Sequence, residues 1–308
     1  MAYPNLSDLL RALTGLDLPL PLPTFGMFVA LAMLAAGECL RRELRRKHAI
    51  GEIGAATVWV KDDAGHRVAQ AVAPQEVVAD LTVAVMIAGV LGARLFHILE
   101  HVDAFAAHPW AMIWTTSGLS IFGGLIVGTL VGLLCMRRWK LALRPALDAV
   151  APAMMLGYAL GRIGCQVSGD GDWGVAATLA LKPDWLPTWF WAQTYTHNIV
   201  GELIAAPGVY PTPLYEIVMS LACCALLWRL RRHRFQAGWL FSVYLVLAGI
   251  ERYAIEQIRI NPVLRFGPWH ATQAELIALL LIGFGALGLF ALGRPAAPPR
   301  RPALGGAG

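Results

Sequence analysis

Residues 118–140 read GLSIFGGLIVGTLVGLLCMRRWK, and this stretch decides the fold class. It is an apolar run interrupted only by small residues, and it stops at Arg137, Arg138 and Lys140. A hydrocarbon layer about 30 Å thick requires roughly 20 apolar residues in helical conformation, so the run predicts a membrane span. The pattern repeats along the chain. Apolar blocks at roughly 25–40, 78–99, 118–136, 146–164, 213–230, 238–256 and 272–293 predict seven transmembrane helices. The expected fold is therefore an all-α polytopic membrane protein, one transmembrane domain over residues 1–308. Composition agrees, with 57% hydrophobic and 15% charged residues where soluble domains carry about a quarter charged.

Basic residues orient the bundle. Eighteen of the 25 lysines and arginines fall on one side of this alternation. By the positive-inside rule that side is the cytoplasm, which puts the N-terminus outside and the C-terminus inside. The net charge of +5 sits beside the spans and not on a face interleaved with aromatics, which excludes nucleic-acid binding. Residues 1–23 lack the basic region, apolar core and small-residue site of a cleaved signal peptide, so the first span is expected to serve as the signal. Residues 49–77 form a cytoplasmic insertion, with strands expected at Ala55–Val60 and His66–Ala73 around a turn at residues 61–65. Residues 165–212 form the one long outer loop. Its Trp185, Trp189, Phe190, Trp191 and Tyr195 suit interfacial anchoring better than substrate binding. The proline-rich tail, 295–308, is expected to be disordered. Five cysteines show neither metal nor disulfide spacing, and no metal or cofactor is expected.

Seven basic residues remain on the outer side or within spans: Arg11, Arg94, Arg162, Lys182, Arg252, Arg259 and Arg265. An arginine at the bilayer centre costs roughly 2.5–3.5 kcal/mol on insertion scales, so each needs a partner or an aqueous cavity. Arg252 and Glu256 are four apart, and Glu256 and Arg259 three apart, so on a helix all three share a face and can pair. One reading is a network that neutralises itself. The other is an anion site, because Arg94, Arg162 and Arg252 come from three spans at one depth and guanidinium forks match phosphate oxygens. Gly161–Gly174 leaves a span through glycines that permit close backbone approach. Its Asp170 and Asp172 suit an Asp-backbone turn better than a metal. His97 and His101, four apart, are an interfacial pair, a proton-transfer pair or a two-ligand metal face. No H-E-x-x-H pattern accompanies them. Gly123-Gly124 suits helix packing.

Together these motifs resemble the prolipoprotein diacylglyceryl transferase family, from Pro23 to about Gln273. The resemblance is carried by Pro23-Thr24-Phe25-Gly26, Gly92-Ala93-Arg94-Leu95, Ser120-Ile121-Phe122-Gly123-Gly124 and Gly161–Gly174. It continues through Pro211-Thr212-Pro213-Leu214-Tyr215-Glu216, Arg252–Arg259 and Thr272-Gln273. It implies a seven-span protein of the bacterial inner membrane with a periplasmic N-terminus and head region. The implied reaction moves a diacylglyceryl group from phosphatidylglycerol to the lipobox cysteine of a prolipoprotein, forming a thioether and releasing glycerol phosphate. It implies no cofactor. Arg162, Arg252 and Glu256 match catalytic positions, with Arg94, Arg259, Asp170 and Gly174 around the headgroup. The family usually has Tyr at Phe25, His at Phe122 and Asn at Cys165 and Ser168. With that His replaced, His97 and His101 become candidate proton acceptors. The alternatives are a transferase of the same fold with another acceptor, or a non-catalytic phospholipid-binding relative.

Overall fold

Apolar blocks in hydrocarbon must satisfy their own backbone groups, and the helix does so within one segment. The computed structural model describes residues 2–16, 22–63, 65–114, 120–266 and 269–295. Its elements in chain order are α1 (Leu6–Thr14), α2 (Thr24–Ala49), β1 (Ala56–Lys61), β2 (Arg67–Val72), α3 (Val78–Glu100), α4 (Val102–Ala107), α5 (Pro109–Trp114) and α6 (Ile121–Arg138). There follow α7 (Leu143–Ser168), α8 (Thr188–Trp191), α9 (Thr212–Leu230), α10 (Trp239–Glu256), β3 (Val263–Phe266), β4 (Trp269–Thr272) and α11 (Gln273–Leu292). Among the described residues, five helices are long and apolar enough to cross a membrane: α2, α3, α6, α9 and α11. The protein is a mostly helical, multi-pass membrane protein. Helices also occupy the fourth and sixth expected spans. These carry charges, Arg144, Asp148 and Arg162 on α7 and Glu251, Arg252 and Glu256 on α10.

The first expected span ends at residue 40, but α2 runs on through Arg41–Lys47, because straight-chain charged residues are good helix formers. Helix α1 was not expected, although Asn5 and Asp8 form its capping box. The β3–β4 hairpin is also additional, since four-residue strands are too short for alternation to register. The tail beyond Pro295, and Gly118-Leu119 of the expected third span, lie outside the described residues.

The chain forms two units. In Leu40–Ala146, β1 and β2 pair antiparallel from Ala56↔Val72 to Lys61↔Arg67, over the two segments expected to be strands. Helices α3 and α6 meet backbone to backbone at Gly92 and Gly123. A Cβ on Gly92 would lie 2.5 Å from both Gly123 O and Val127 Cβ. Small residues allow such approach where no hydrophobic force drives helices together.

The second unit comprises Met1–Cys39 and Leu147–Pro298. In it Asp148 of α7 is buried and caps the start of α10, accepting from Gly238 N at 2.8 Å and Phe241 N at 2.9 Å. The carboxylate satisfies amides that the helix cannot satisfy itself, and it suits the positive end of the helix dipole. Arg162 and Arg252 each lie fourteen residues beyond this junction, on α7 and α10. Equal rises of about 21 Å bring both to a similar depth. Residues after α7 form a head packed on Trp173 and Tyr195, whose rings stack at 5.2 Å. Trp185 and Trp189 are exposed, as interfacial anchors would be, whereas Tyr195 is buried and belongs to the head's own core.

Gly92→Ala should lower the thermal unfolding midpoint in detergent, since overpacking costs about 1–3 kcal/mol. Gly283→Ala should not, because its added Cβ meets nothing within 4 Å. Equal midpoints for the two variants would contradict this packing account.

Candidate active site

The C-terminal end of α7 carries Arg162, and two glycines beyond it fold the chain back. Gly169 and Gly171 have φ of +64° and +93°, a region costly for residues with a Cβ. This return places Asp172 beside Arg162. Arg162 Nη1 donates to Asp172 Oδ2, and Arg259 Nη2 donates to Asp172 Oδ1. One carboxylate thus bridges two guanidiniums. Glu216 of α9 joins them, its Oε1 lying 3.1 Å from Arg162 Nη2 and 3.9 Å from Arg259 Nη1. Tyr158 OH donates to the same oxygen at 2.6 Å, and its ring lies 5.0 Å from the Arg162 guanidinium carbon. Thr212 Oγ1 at the start of α9 donates to Asp172 O at 2.5 Å. The cluster ties together α7, the head, α9 and the segment after α10.

Gly174 fixes the last of these segments. Its amide donates to Tyr210 O at 2.8 Å, and Val175 N donates to Ile258 O at 2.8 Å. A Cβ at Gly174 would lie 2.5 Å from Ile258 O. The position is glycine because two backbone segments close on it, and this closure positions Arg259.

Charges in the cluster balance, with Arg162 and Arg259 against Asp172 and Glu216. Burial alone would raise the Asp172 pKa, but the two guanidiniums outweigh it and hold the carboxyl below its usual value. Asp170 goes the other way, raised by burial. Arg162 Nε and Glu216 Oε2 are buried without a hydrogen-bond partner among the described residues, so the cluster retains bonding capacity. Beside it, Arg252 Nη2 lies 2.9 Å from Glu256 Oε2, and Asn261 Nδ2 donates to both Glu256 oxygens at 2.8 and 2.9 Å. Arg252 is the most accessible of the three arginines, its side chain 27% exposed against 13% for Arg162 and 11% for Arg259.

The Arg252–Glu256 pair forms as the spacing predicts. Arg259 does not join it. Helix α10 ends at Glu256, so the three-residue helical spacing does not reach Arg259, which turns to Asp172 and Glu216. The acid between the arginines is Asp172, not Asp170. Asp170 Oδ1 accepts from Asp172 N at 3.2 Å, which is the Asp-backbone turn expected there. Tyr158 and Asn261 were missed, and Glu216, quoted only as the end of the Pro211–Glu216 motif, was given no role in the site. A carboxylate one turn inside an apolar block was the available signal for Glu216.

Arg94, His97 and His101 belong to the other unit. There the histidine rings lie 4.5 Å apart, and His101 Nδ1 is 3.1 Å from His97 O. Ser120 Oγ donates to Glu100 Oε1 at 2.7 Å, tying the end of α3 to the start of α6. Among the described residues, two groups bring potential metal ligands within 4.8 Å of one another, His97/Glu100/His101 and Cys165/Asp170/Asp172. In the second, Asp172 already answers two guanidiniums, which disfavours a cation. Phe25 sits close to Gly164, where an added Cβ would meet Phe25 Cδ2 at 3.3 Å.

A carboxyl held below its usual pKa stabilises the fold above the unfolded-state value, about 3.9 for Asp. That contribution is lost as pH falls through the folded-state value. The gap in thermal midpoint between the parent protein and Asp172→Asn should therefore be greatest near neutrality and shrink in acid below about pH 4. A gap independent of pH would contradict the bridging role.

Residues 12–291 match the family model described as prolipoprotein diacylglyceryl transferase. A phosphatidylglycerol–prolipoprotein diacylglyceryl transferase of Bacillus cereus is 28% identical over 231 residues, covering 73% of this chain and 79% of the relative. One of the same name from Leptospira interrogans is 29% identical over 201 residues, covering 58% of this chain and 60% of the relative. With the family model spanning most of its length, the chain belongs to the prolipoprotein diacylglyceryl transferase family.

Proposed function

We propose that this protein transfers the diacylglyceryl group of phosphatidylglycerol to the lipobox cysteine of a prolipoprotein. Family membership carries this reading, and the arginines around Asp172 and Glu256 support it. In the reaction the cysteine sulfur bonds to the glyceryl carbon that bears the phosphate, the carbon–oxygen bond to phosphate breaks, and glycerol phosphate leaves with that electron pair. A thiol with a pKa near ~8.5 must lose its proton to attack. The protein therefore needs cations for the leaving phosphate and an acceptor for the thiol proton.

Arg252 is the first candidate for the phosphate, being the most accessible of the three arginines and held by Glu256 through a single nitrogen. Charge-assisted contacts that strengthen as the phosphate departs lower the barrier. Glu256 aims Arg252 and is itself fixed by Asn261. Arg162 and Arg259, clamped on Asp172, hold a fixed framework at the headgroup in which Arg162 Nε remains free to donate, with Asp170 and Gly174 shaping the loop around it. Arg94 is a further headgroup contact. His97 and His101 are the candidate proton acceptors in place of the family His at Phe122. The site faces the outer leaflet of the bacterial inner membrane, in a seven-span arrangement with a periplasmic N-terminus and a cytoplasmic hairpin.

The replaced Tyr and His favour one second reading, the same lipid chemistry directed to another acceptor. The test is complementation of a bacterium depleted of its own diacylglyceryl transferase. Rescue is expected from the parent protein, with rescue lost in Arg252→Ala and Glu256→Ala and weakened in a His97→Ala/His101→Ala variant. Failure of the well-expressed parent chain would overturn the prolipoprotein assignment. Full rescue by Arg252→Ala would remove Arg252 from the phosphate site.

A further inference from the structure

The turn joining α9 to α10 holds a second basic feature, at the end of this unit away from Arg162. A cavity of about 430 Å³ is lined by Arg229, Arg232, Arg234, His233, Phe235 and Trp239. Its volume lies in the range of small-ligand sites, about 300–1,000 Å³. Among the described residues, no carboxylate forms an ion pair with Arg229, Arg232 or Arg234. The acid that touches this turn, Asp148, is buried and occupied, capping α10 and lying 3.6 Å from His233 Nε2. This is the reverse of the Arg162 cluster, where every guanidinium meets a carboxylate. Three like charges around one cavity repel one another unless an anion enters.

The cavity has one cationic side and one apolar side. Phe235 and Trp239 pack with ring centroids 4.5 Å apart, and Trp239 lies 5.1 Å from the His233 ring. The His233 side chain, 7% exposed, lies between this wall and Asp148 of α7. A free inorganic anion prefers donors all round. A phosphodiester with glycerol and acyl stems suits arginines on one side and aromatics on the other. The turn directly follows α9, a helix long and apolar enough to cross a membrane, so a lipid headgroup is expected at the level of this turn. Basic pockets between helices at that depth bind anionic lipid headgroups.

We propose that this cavity binds the phosphate group of an anionic phospholipid, at a site separate from the Arg162–Arg252 region. On α7 the two features are fourteen residues apart, Asp148 to Arg162, or about 21 Å along the helix. The inference stands independently of the transferase reading, because it concerns lipid occupancy and not turnover.

Native mass spectrometry of the delipidated full-length protein tests it, with phosphatidylglycerol, phosphatidylcholine and inorganic phosphate titrated separately. The parent protein should bind one more phosphatidylglycerol than Arg229→Gln/Arg232→Gln/Arg234→Gln, whose affinity for that lipid should fall by about tenfold or more as its charge-assisted contacts are lost. The control Arg137→Gln/Arg138→Gln/Lys140→Gln removes the same charge from α6 and the turn after it, and should keep the extra lipid. Thermal midpoints check folding, and Arg232→Gln alone replaces the triple variant if that variant unfolds. Equal lipid counts in parent and pocket variant would overturn the proposal, as would equal losses in the control. Inorganic phosphate binding as tightly as the lipid would overturn the lipid assignment.

Discussion

A guanidinium withdrawn from bulk water must find negative charge, and here two of them find the same carboxylate. Asp172 bridges Arg162 and Arg259, and Glu216 supports both from α9. Breaking a buried pair by removing one partner costs several kcal/mol, about 3–5 in measured cases, because the remaining charge is left uncompensated. The head loop, two helices and the segment after α10 are therefore held to one arrangement. Gly169, Gly171 and Gly174 are the backbone conditions for it, allowing Asp172 to turn back and Arg259 to approach. With Arg162 and Arg259 committed to carboxylates, Arg252 is the arginine most available to a ligand.

Long-range architecture was legible in the sequence because membrane burial acts on whole blocks of residues. Blocks of apolar residues mark helix positions to within a few residues at α3, α9 and α11, and arginines close the last two. The pairing of Arg252 with Glu256 was legible too, since both lie on one helix. What escaped was decided by chain ends and turns. The spacing argument for Arg259 fails because α10 stops at Glu256. Asp170 and Asp172 are indistinguishable by composition, and only the turn at Gly171 determines which one faces the arginines. Glu216 belongs to the cluster through a contact 54 residues from Arg162 in sequence, which no local pattern reports.

Asp148 links the two ends of the same unit. By capping α10 from within α7 it sets Asp148 level with the start of α10, and fourteen residues of each helix then carry Arg162 and Arg252 to a similar depth. At the near end the same carboxylate is used up, leaving Arg229, Arg232 and Arg234 around an open cavity with no acidic partner among the described residues. One end of the unit is internally neutralised and the other is not, and the two are suited to different interactions with anionic lipid.

We propose that the chain couples a departing glycerol phosphate to an arriving thiol. Incubation of the purified protein with phosphatidylglycerol and a lipobox peptide, with both products quantified by mass spectrometry, tests this most directly. The account predicts glycerol phosphate and thioether-linked peptide in equal amounts, and neither product when the peptide cysteine is replaced by serine. Glycerol phosphate released in the absence of a thiol, or bound lipid with no release at all, would contradict it.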